Sequence, residues 1–159
     1  MADAAVVRLL IFRVGNLVCA AEADAVREIL PRLGTTRIPG APAVVAGLVN
    51  VRGTLVTVVE GWKALGQPAP ADGGAGGGER GGGGGGGTTV LLQVGAARKT
   101  IGFTVDEVID MLAVSGDTLE RREALPGLDP RLVRAVGRRS GLPFVLLDTD
   151  ALLGPVLPT

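Results

Sequence analysis

Two stretches of this chain carry one pattern 88 residues apart, with no gap between them: RGTLVTVVEGWKALG at Arg52–Gly66 and SGLPFVLLDTDALLG at Ser140–Gly154. Each opens on a turn glycine (Gly53, Gly141), runs through an apolar strand (Val56, Val58, Val59; Phe144, Leu146, Leu147) and reaches an acid (Glu60, Asp148). Each then closes in a short helix-like run ending Leu-Gly, at Leu65–Gly66 and Leu153–Gly154. Upstream, LIFRVG (Leu10–Gly15) echoes VLLQVG (Val90–Gly95) and AVREIL (Ala25–Leu30) echoes EVIDML (Glu107–Leu112), at offsets of 80 and 82 residues. Matches kept in the same order point to two related small units in one chain.

Tight turns between short apolar runs fill in the units. Val6–Val14 reads as a strand with apolar residues on both faces, Gly15–Asn16 as a turn, and Leu17–Ala21 as the return, which is a hairpin signature. Ala23–Leu30 fits a short helix or a strand, since so short a window has no decisive period. Pro39 and Pro42 bias the residues before them toward extended shapes. Val44–Val51 and Leu55–Val59 read as strands about the Arg52–Gly53 turn, with Trp62–Leu65 as one helical turn. After residue 87 the reading gives strands at Thr88–Val94 and Thr100–Val105, then a longer one at Val105–Val114, bent midway. Leu119–Arg131 reads as a surface excursion. Val133–Val136 and Leu142–Leu147 follow as strands, and Asp148 is placed to cap a short helix through Leu153. No strand leads into a full crossover helix, which argues against a purely parallel α/β sheet. About ten strands in two sets of five fit two small antiparallel barrels sharing one interior.

Composition agrees with a small, finely packed interior. Of the 159 residues 47% are apolar, mostly Val, Leu, Ile and Ala, with Trp62, Phe12, Phe103 and Phe144 the only aromatics. Sixteen basic residues balance sixteen acidic ones, which leaves no electrostatic footprint for nucleic acid or anionic lipid. The arginine pairs Arg121–Arg122 and Arg138–Arg139 read as solvated turns. The single cysteine, Cys19, lies in the apolar run LVCAA and reads as a buried structural thiol. The N-terminus lacks the basic start and apolar centre of a secretory signal, and no apolar run reaches the roughly 20 residues that span a bilayer. These features predict a cytoplasmic protein.

Between Gly73 and Gly87, twelve of fifteen residues are glycine. The stretch has nothing to bury and reads as a disordered loop over about 67–87. It is not a phosphate-binding loop, because no strand precedes it and no Gly-Lys-Ser/Thr follows. There is no histidine, which removes the usual general base and the commonest zinc ligand. Two carboxylate pairs, Asp106 with Asp110 and Asp148 with Asp150, have ordinary structural uses that outweigh a catalytic one. No residues cluster as metal or cofactor ligands, and the aromatics are too few for a base-stacking platform. The chain reads as a protein that binds other proteins and not as an enzyme.

The run IPGAPAVVAGLVNVRGTLVTVVEGWKALG (Ile38–Gly66) closely resembles the signature stretch of the CheW-like domain family: Pro-x-x-Pro, then Gly, two apolar residues, Asn, an apolar residue and Arg-Gly, then a strand and a short helix. VREIL (Val26–Leu30), IGFTVDEVIDML (Ile101–Leu112) and LPFVLLDTDALLG (Leu142–Gly154) match further family motifs in order. The resemblance implies a mainly β fold of two five-stranded, antiparallel Src-homology-type barrels packed around a shared core. It forms one domain over 6–154, with subdomains of about 6–66 and 88–154 that allow exchange of strands. It also implies a non-catalytic, standalone adaptor coupling chemoreceptor cytoplasmic tips to the regulatory domain of a CheA-type histidine kinase. Such an adaptor is recruited from the cytoplasm to membrane-bound receptor arrays, with scaffold rings among its assemblies. Carried over residue by residue, Asn50, Arg52 and Gly53, with Val49 and Val51 beside them, fall at the receptor-contacting turn. Glu28, Ile29, Val105 and Asp106 fall at kinase-binding or structural positions. Arg52 offers a planar fork to a carboxylate or carbonyl, and Asp106 suits a loop-tying role through backbone hydrogen bonds. The chain departs from the family pattern at Thr57, Glu60 and Gly61–Trp62. The alternative is a self-associating scaffold or another interaction module on the same barrels, outside flagellar chemotaxis.

Overall fold

A computed structural model describes residues 5–69, 87–120 and 128–156. The glycine stretch over residues 70–86 and the pair Arg121–Arg122 lie outside the described residues. Ten strands follow in chain order: β1 (Val6–Val14), β2 (Leu17–Glu22), β3 (Val26–Pro31), β4 (Val45–Val51), β5 (Thr54–Val59), β6 (Thr88–Val94), β7 (Lys99–Val105), β8 (Glu107–Ser115), β9 (Val133–Arg139) and β10 (Leu142–Leu147). Two short helices, α1 (Gly61–Ala64) and α2 (Thr149–Leu153), close the two repeats. The ambiguous Ala23–Leu30 resolves into a three-residue 3-10 turn, Ala23–Ala25, followed by β3. The predicted bend in Val105–Val114 is a strand break at Asp106, plus a bulge where Ile11 and Phe12 of β1 face Asp110 and Val108 of β8.

The strands form two five-stranded sheets. Sheet A has the order β8-β1-β2-β10-β9, and sheet B the order β3-β6-β7-β5-β4. The internal repeat maps β1 to β5 onto β6 to β10, and under that mapping each sheet has the order of the other. Sheet A takes β1 and β2 from the first repeat and three strands from the second, whereas sheet B takes three from the first and two from the second. The exchange occurs where β2 passes into β3 and β7 into β8. Each sheet is mixed, because β2 pairs parallel with β10 and β5 parallel with β7.

The expectation of two closed antiparallel barrels is therefore corrected on two counts: the sheets contain parallel pairs, and neither closes. In sheet B the chain beyond edge strand β3 meets the other edge, β4, through only one reciprocal pair of hydrogen bonds, between Thr36 and Leu48 at 2.8 Å each. Sheet A has one equivalent pair, Glu120 with Val136. The connecting segments are too broken to extend a ladder. Pro31 ends β3, and Pro39 and Pro42, which have no N–H, lie between it and β4. A tight turn at Gly116–Thr118 ends β8.

The core lies between the sheets. Leu10, Phe12, Val14, Cys19 and Ala21 of sheet A pack with Val59, Val90, Leu92, Val94, Ile101, Phe103 and Val105 of sheet B, joined by Leu152 and Leu153 of α2. Phe12 and Phe103 meet edge-to-face across the sheets, with centroids 6.1 Å apart. The opposite face of β1 is buried too: Leu9 and Ile11 join Ala20, Ala135, Phe144 and Leu146 inside the curl of sheet A. Two buried faces explain the unbroken apolar run of β1.

Candidate protein-docking site

The β4–β5 hairpin turns on the two residues Arg52 and Gly53, since Val51 pairs with Thr54. Both have positive φ, 50° and 86°, the geometry of a type I′ turn that matches the twist of the flanking strands. Gly53 takes this conformation without steric cost, whereas Arg52 does not. The Asn50 side-chain oxygen accepts a hydrogen bond from the Gly53 N–H at 2.8 Å and fixes the turn. The repeat places Ser140 (φ 51°) and Gly141 (φ 82°) in the same geometry between β9 and β10.

Arg52 reaches across the sheet opening. Its guanidinium donates from Nη1 to Glu28 Oε1 (2.6 Å) and from Nη2 to Glu28 Oε2 (2.5 Å). This bidentate pair links the β4–β5 turn to β3 at the far edge of sheet B. The arginine holds Glu28 below the usual glutamate range, first by hydrogen bonding and then by its charge, and Arg52 is raised in return. Arg52 still exposes 70% of its side chain. Ile29 and Leu55, exposed large apolar residues, are the chain neighbour of Glu28 and the cross-strand partner of Asn50. Val49 and Val51 are half-buried in β4.

The remaining predicted positions behave differently. Val105 is a core residue, packed between the sheets. The Asp106 carboxylate accepts from the Gly15 N–H at 2.9 Å and from Arg13 Nη1 at 3.1 Å, and so ties a turn through backbone as its residue type suggests. The paired acids have separate structural partners. Asp110 receives Arg139 Nε at 3.1 Å, Asp148 caps α2 by accepting from the Ala151 N–H at 3.0 Å, and Asp150 accepts from the Gly95 N–H at 2.9 Å. Arg13 and Gln67 escaped the sequence reading and Gly15 was read only as a turn residue, because the contacts that define them join strands far apart in the chain. The expectation that Arg138–Arg139 form a solvated turn is corrected, since both lie in β9 and Arg139 pairs with Asp110.

A shallow depression lined by Val133, Arg134, Asp148, Asp150 and Ala151 has its charged groups already engaged, Arg134 on Glu22 at 2.8 Å and both aspartates on backbone N–H groups. Among the described residues no group of three or more Cys, Asp or Glu side chains could hold a metal ion. No helix among them is long and apolar enough to cross a membrane.

Two exchanged sheets carry an exposed, arginine-bearing hairpin turn with the exposed Leu55 beside it, an arrangement with the surface features of a protein-binding module. The model of the CheW-like domain matches residues 8–155. The chain is 31% identical over 145 residues to a chemotaxis protein CheW of Rhizobium meliloti (strain 1021), covering 91% of this chain and 85% of that protein. It is 29% identical over 145 residues, at the same coverage, to a probable chemotaxis protein CheW of Rhizobium etli (strain CFN 42). Its fold is similar to that of the scaffolding protein TtCheW of Thermoanaerobacter tengcongensis, with a TM-score of 0.75 and 15% identity over 96% of this chain and 93% of that one. The chain belongs to the CheW-like domain family. It is a non-catalytic adaptor of the CheW type, linking chemoreceptors to a CheA kinase in chemotaxis signalling.

Proposed function

We propose that this adaptor meets the helical cytoplasmic tip of a chemoreceptor at the Asn50–Arg52–Gly53 turn, with Val49 and Val51 behind it. The regulatory domain of the CheA-type kinase docks along the neighbouring edge of β3 at Glu28 and Ile29. The observation that carries this reading is an arginine on a left-handed turn, mostly exposed yet pre-oriented by a bidentate carboxylate. A guanidinium has five N–H donors, and Glu28 takes only two of them, so a receptor carboxylate or helix-terminal carbonyl finds a pre-aligned donor set. Leu55, the cross-strand partner of Asn50, supplies exposed apolar area beside the turn, the composition expected where an amphipathic helix is laid against a groove. In this reading the protein reaches receptor arrays from the cytoplasm through these contacts.

The test is capture of a purified receptor cytoplasmic fragment, and separately of a kinase regulatory domain, by wild type and Arg52→Glu. Reversing the charge at the turn is expected to abolish receptor capture and leave a folded protein. Receptor capture equal to wild type would remove Arg52 from the site. Ile29→Asp is expected to weaken kinase capture while receptor capture persists.

A further inference from the structure

The chain passes from sheet B to sheet A at one residue. Strand β7 ends at Val105, β8 begins at Glu107, and Asp106 stands alone between them. That residue makes three hydrogen bonds to the β1–β2 hairpin of sheet A. Its N–H donates to the Arg13 carbonyl at 2.8 Å, and its carboxylate accepts from the Gly15 N–H at 2.9 Å and from Arg13 Nη1 at 3.1 Å. From the other side, the Asn16 N–H donates to Gln67 Oε1 at 3.1 Å, just after α1. The hairpin tip is thus gripped between the crossover and the segment that leaves sheet B. The slot is tight, since a Cβ built on Gly15 (φ +61°) lies 2.8 Å from Gln67 Cβ.

The other crossover, from β2 to β3, is held without an ion pair: Arg98 Nη2 donates to the Asp24 carbonyl at 3.2 Å and to Gln93 Oε1 at 2.6 Å. Among the described residues, the pairs Arg13–Glu107, Arg134–Glu22 and Arg139–Asp110 lie within sheet A, Arg52–Glu28 belongs to sheet B, and Arg131–Asp129 lies in a single turn. Only Arg13–Asp106 stands at a crossover between the sheets.

We propose that Asp106 is a positioning residue, which fixes the angle between the two sheets and through it the alignment of the partner-binding surfaces, without itself touching the kinase. The proposal rests on the coupling role given above, but its main test needs no partner. The Gly15 amide and the Arg13 guanidinium both donate to Oδ2 of the Asp106 carboxylate, and the side chain is only 22% exposed. Loss of the carboxylate removes two of the three bonds from Asp106 and leaves its backbone N–H on the Arg13 carbonyl, with Gln67 still holding the Asn16 N–H on the other side.

The experiment uses the full chain in a Cys19→Ala background. Single cysteines replace the exposed Leu55 of sheet B and Leu142 of sheet A, and the inter-label distance distribution is read by dipolar electron paramagnetic resonance. Asp106→Ala is expected to shift the mean and broaden the distribution. Asp106→Asn, whose amide oxygen still accepts from the Gly15 N–H, is expected to lie between Asp106→Ala and the parent. Gly15→Ala, which alters no charge, is expected to reproduce the Asp106→Ala distribution. Unlabelled Asp106→Ala and Gly15→Ala are then expected to lose kinase-domain affinity together. A parent-like distribution in Asp106→Ala overturns the proposal, as does lost kinase affinity in that variant with full affinity in Gly15→Ala. If Asp106→Ala fails to fold, Asp106→Asn carries the test, and a distribution identical to the parent in that variant and in Gly15→Ala overturns it.

Discussion

Arg52 and Glu28 belong to opposite edges of one open sheet, and their side chains bridge the gap that backbone hydrogen bonding leaves between β3 and β4. The repeat does the same again. Asp110 of β8 occupies the position of Glu28 under the 82-residue offset, and it pairs with Arg139 of β9 at the opposite edge of sheet A. Ile29 and Met111, the residues that follow the two acids, are both exposed. The two clasps differ in their arginines. In sheet B it comes from the turn itself and is 70% exposed, whereas in sheet A it comes from the strand before the turn and is 33% exposed. Ser140 holds the turn position equivalent to Arg52. The clasp arginine is therefore turn-borne and mostly exposed in sheet B but strand-borne and less exposed in sheet A, where the exposed Arg138 instead donates to the Gly141 carbonyl at 3.2 Å.

The first prediction concerns acid titration. Glu28 is held below the ordinary glutamate value of 4.5 by the Arg52 hydrogen bonds. Its folded-state pKa lies below its unfolded one, so the clasp contributes stability that is fully present above the unfolded pKa and is lost as pH falls through the folded pKa. Side-chain carboxyl NMR titration of wild type should place the Glu28 midpoint below 4.5, and Arg52→Ala should return it toward that value. A Glu28 midpoint unmoved by Arg52→Ala would show that the clasp does not form in solution.

The second separates stability from recognition at the same residue. A non-glycine side chain at φ 50° is strained, and Asn-Gly is the preferred pair for a two-residue type I′ turn. Arg52→Asn removes the ion pair, which is worth little at an exposed site, and relieves the backbone. The thermal midpoint should stay level or rise while receptor capture falls. A large drop in midpoint would mean that the clasp and not the turn holds this end of the sheet together.

The third follows from Cys19, which is fully buried among core side chains and whose pKa burial pushes up to about 12. An exposed thiol titrates near 9.0, so the folded state keeps its proton at alkaline pH where the unfolded chain loses it. Stability should fall as pH rises through 9, and Cys19→Ser or Cys19→Ala should remove that part of the slope. A disulfide-exchange reagent at pH 8 should modify the native thiol only at the rate of unfolding. Immediate modification would contradict the burial.

Much of this architecture is legible in the sequence. Strand positions follow from turn residues and apolar runs, and β1, β6 and β10 begin and end where those signals place them. The repeat survives in space as two sheets of matching order. What one strand pairs with is not legible. Val145 beside Cys19 and Thr57 beside Ile101 are parallel neighbours brought together by strand exchange, and no local pattern encodes them. Short strands buried on both faces also carry no alternation that would reveal curl or closure. At the site, the turn residues Asn50, Arg52 and Gly53 are found by motif, and Glu28 is found separately. Their direct pairing is a tertiary fact, 24 residues apart in the chain. Trp62, whose place in the fold the departure from the family pattern does not reveal, is half-buried against the core, with Lys63 Nζ 5.3 Å from its ring centroid.

The last prediction concerns Gly61, one of the departures from the family pattern. Its N–H donates to Thr104 Oγ1 at 2.9 Å, and a Cβ placed on it would lie 2.0 Å from the Thr104 carbonyl oxygen and 3.1 Å from the Phe103 ring. The obstacle is backbone in the central strand β7, which cannot rotate aside as a side-chain end could. α1 must therefore move off the sheet to admit even a methyl group, and Trp62 and Leu65, which pack on the core beside it, must follow. Gly61→Ala should cost about 1–3 kcal/mol, the range for forced overpacking of a close-packed interior. Gly66→Ala provides the contrast: it meets no atom within 4 Å, and its cost is conformational, from φ +67°. Urea denaturation of the two variants should thus give a larger loss for Gly61→Ala, together with a disturbed Trp62 fluorescence spectrum in the native state. Equal losses and an unchanged spectrum would mean that α1 does not sit as closely on β7 as the 2.9 Å hydrogen bond from Gly61 to Thr104 requires.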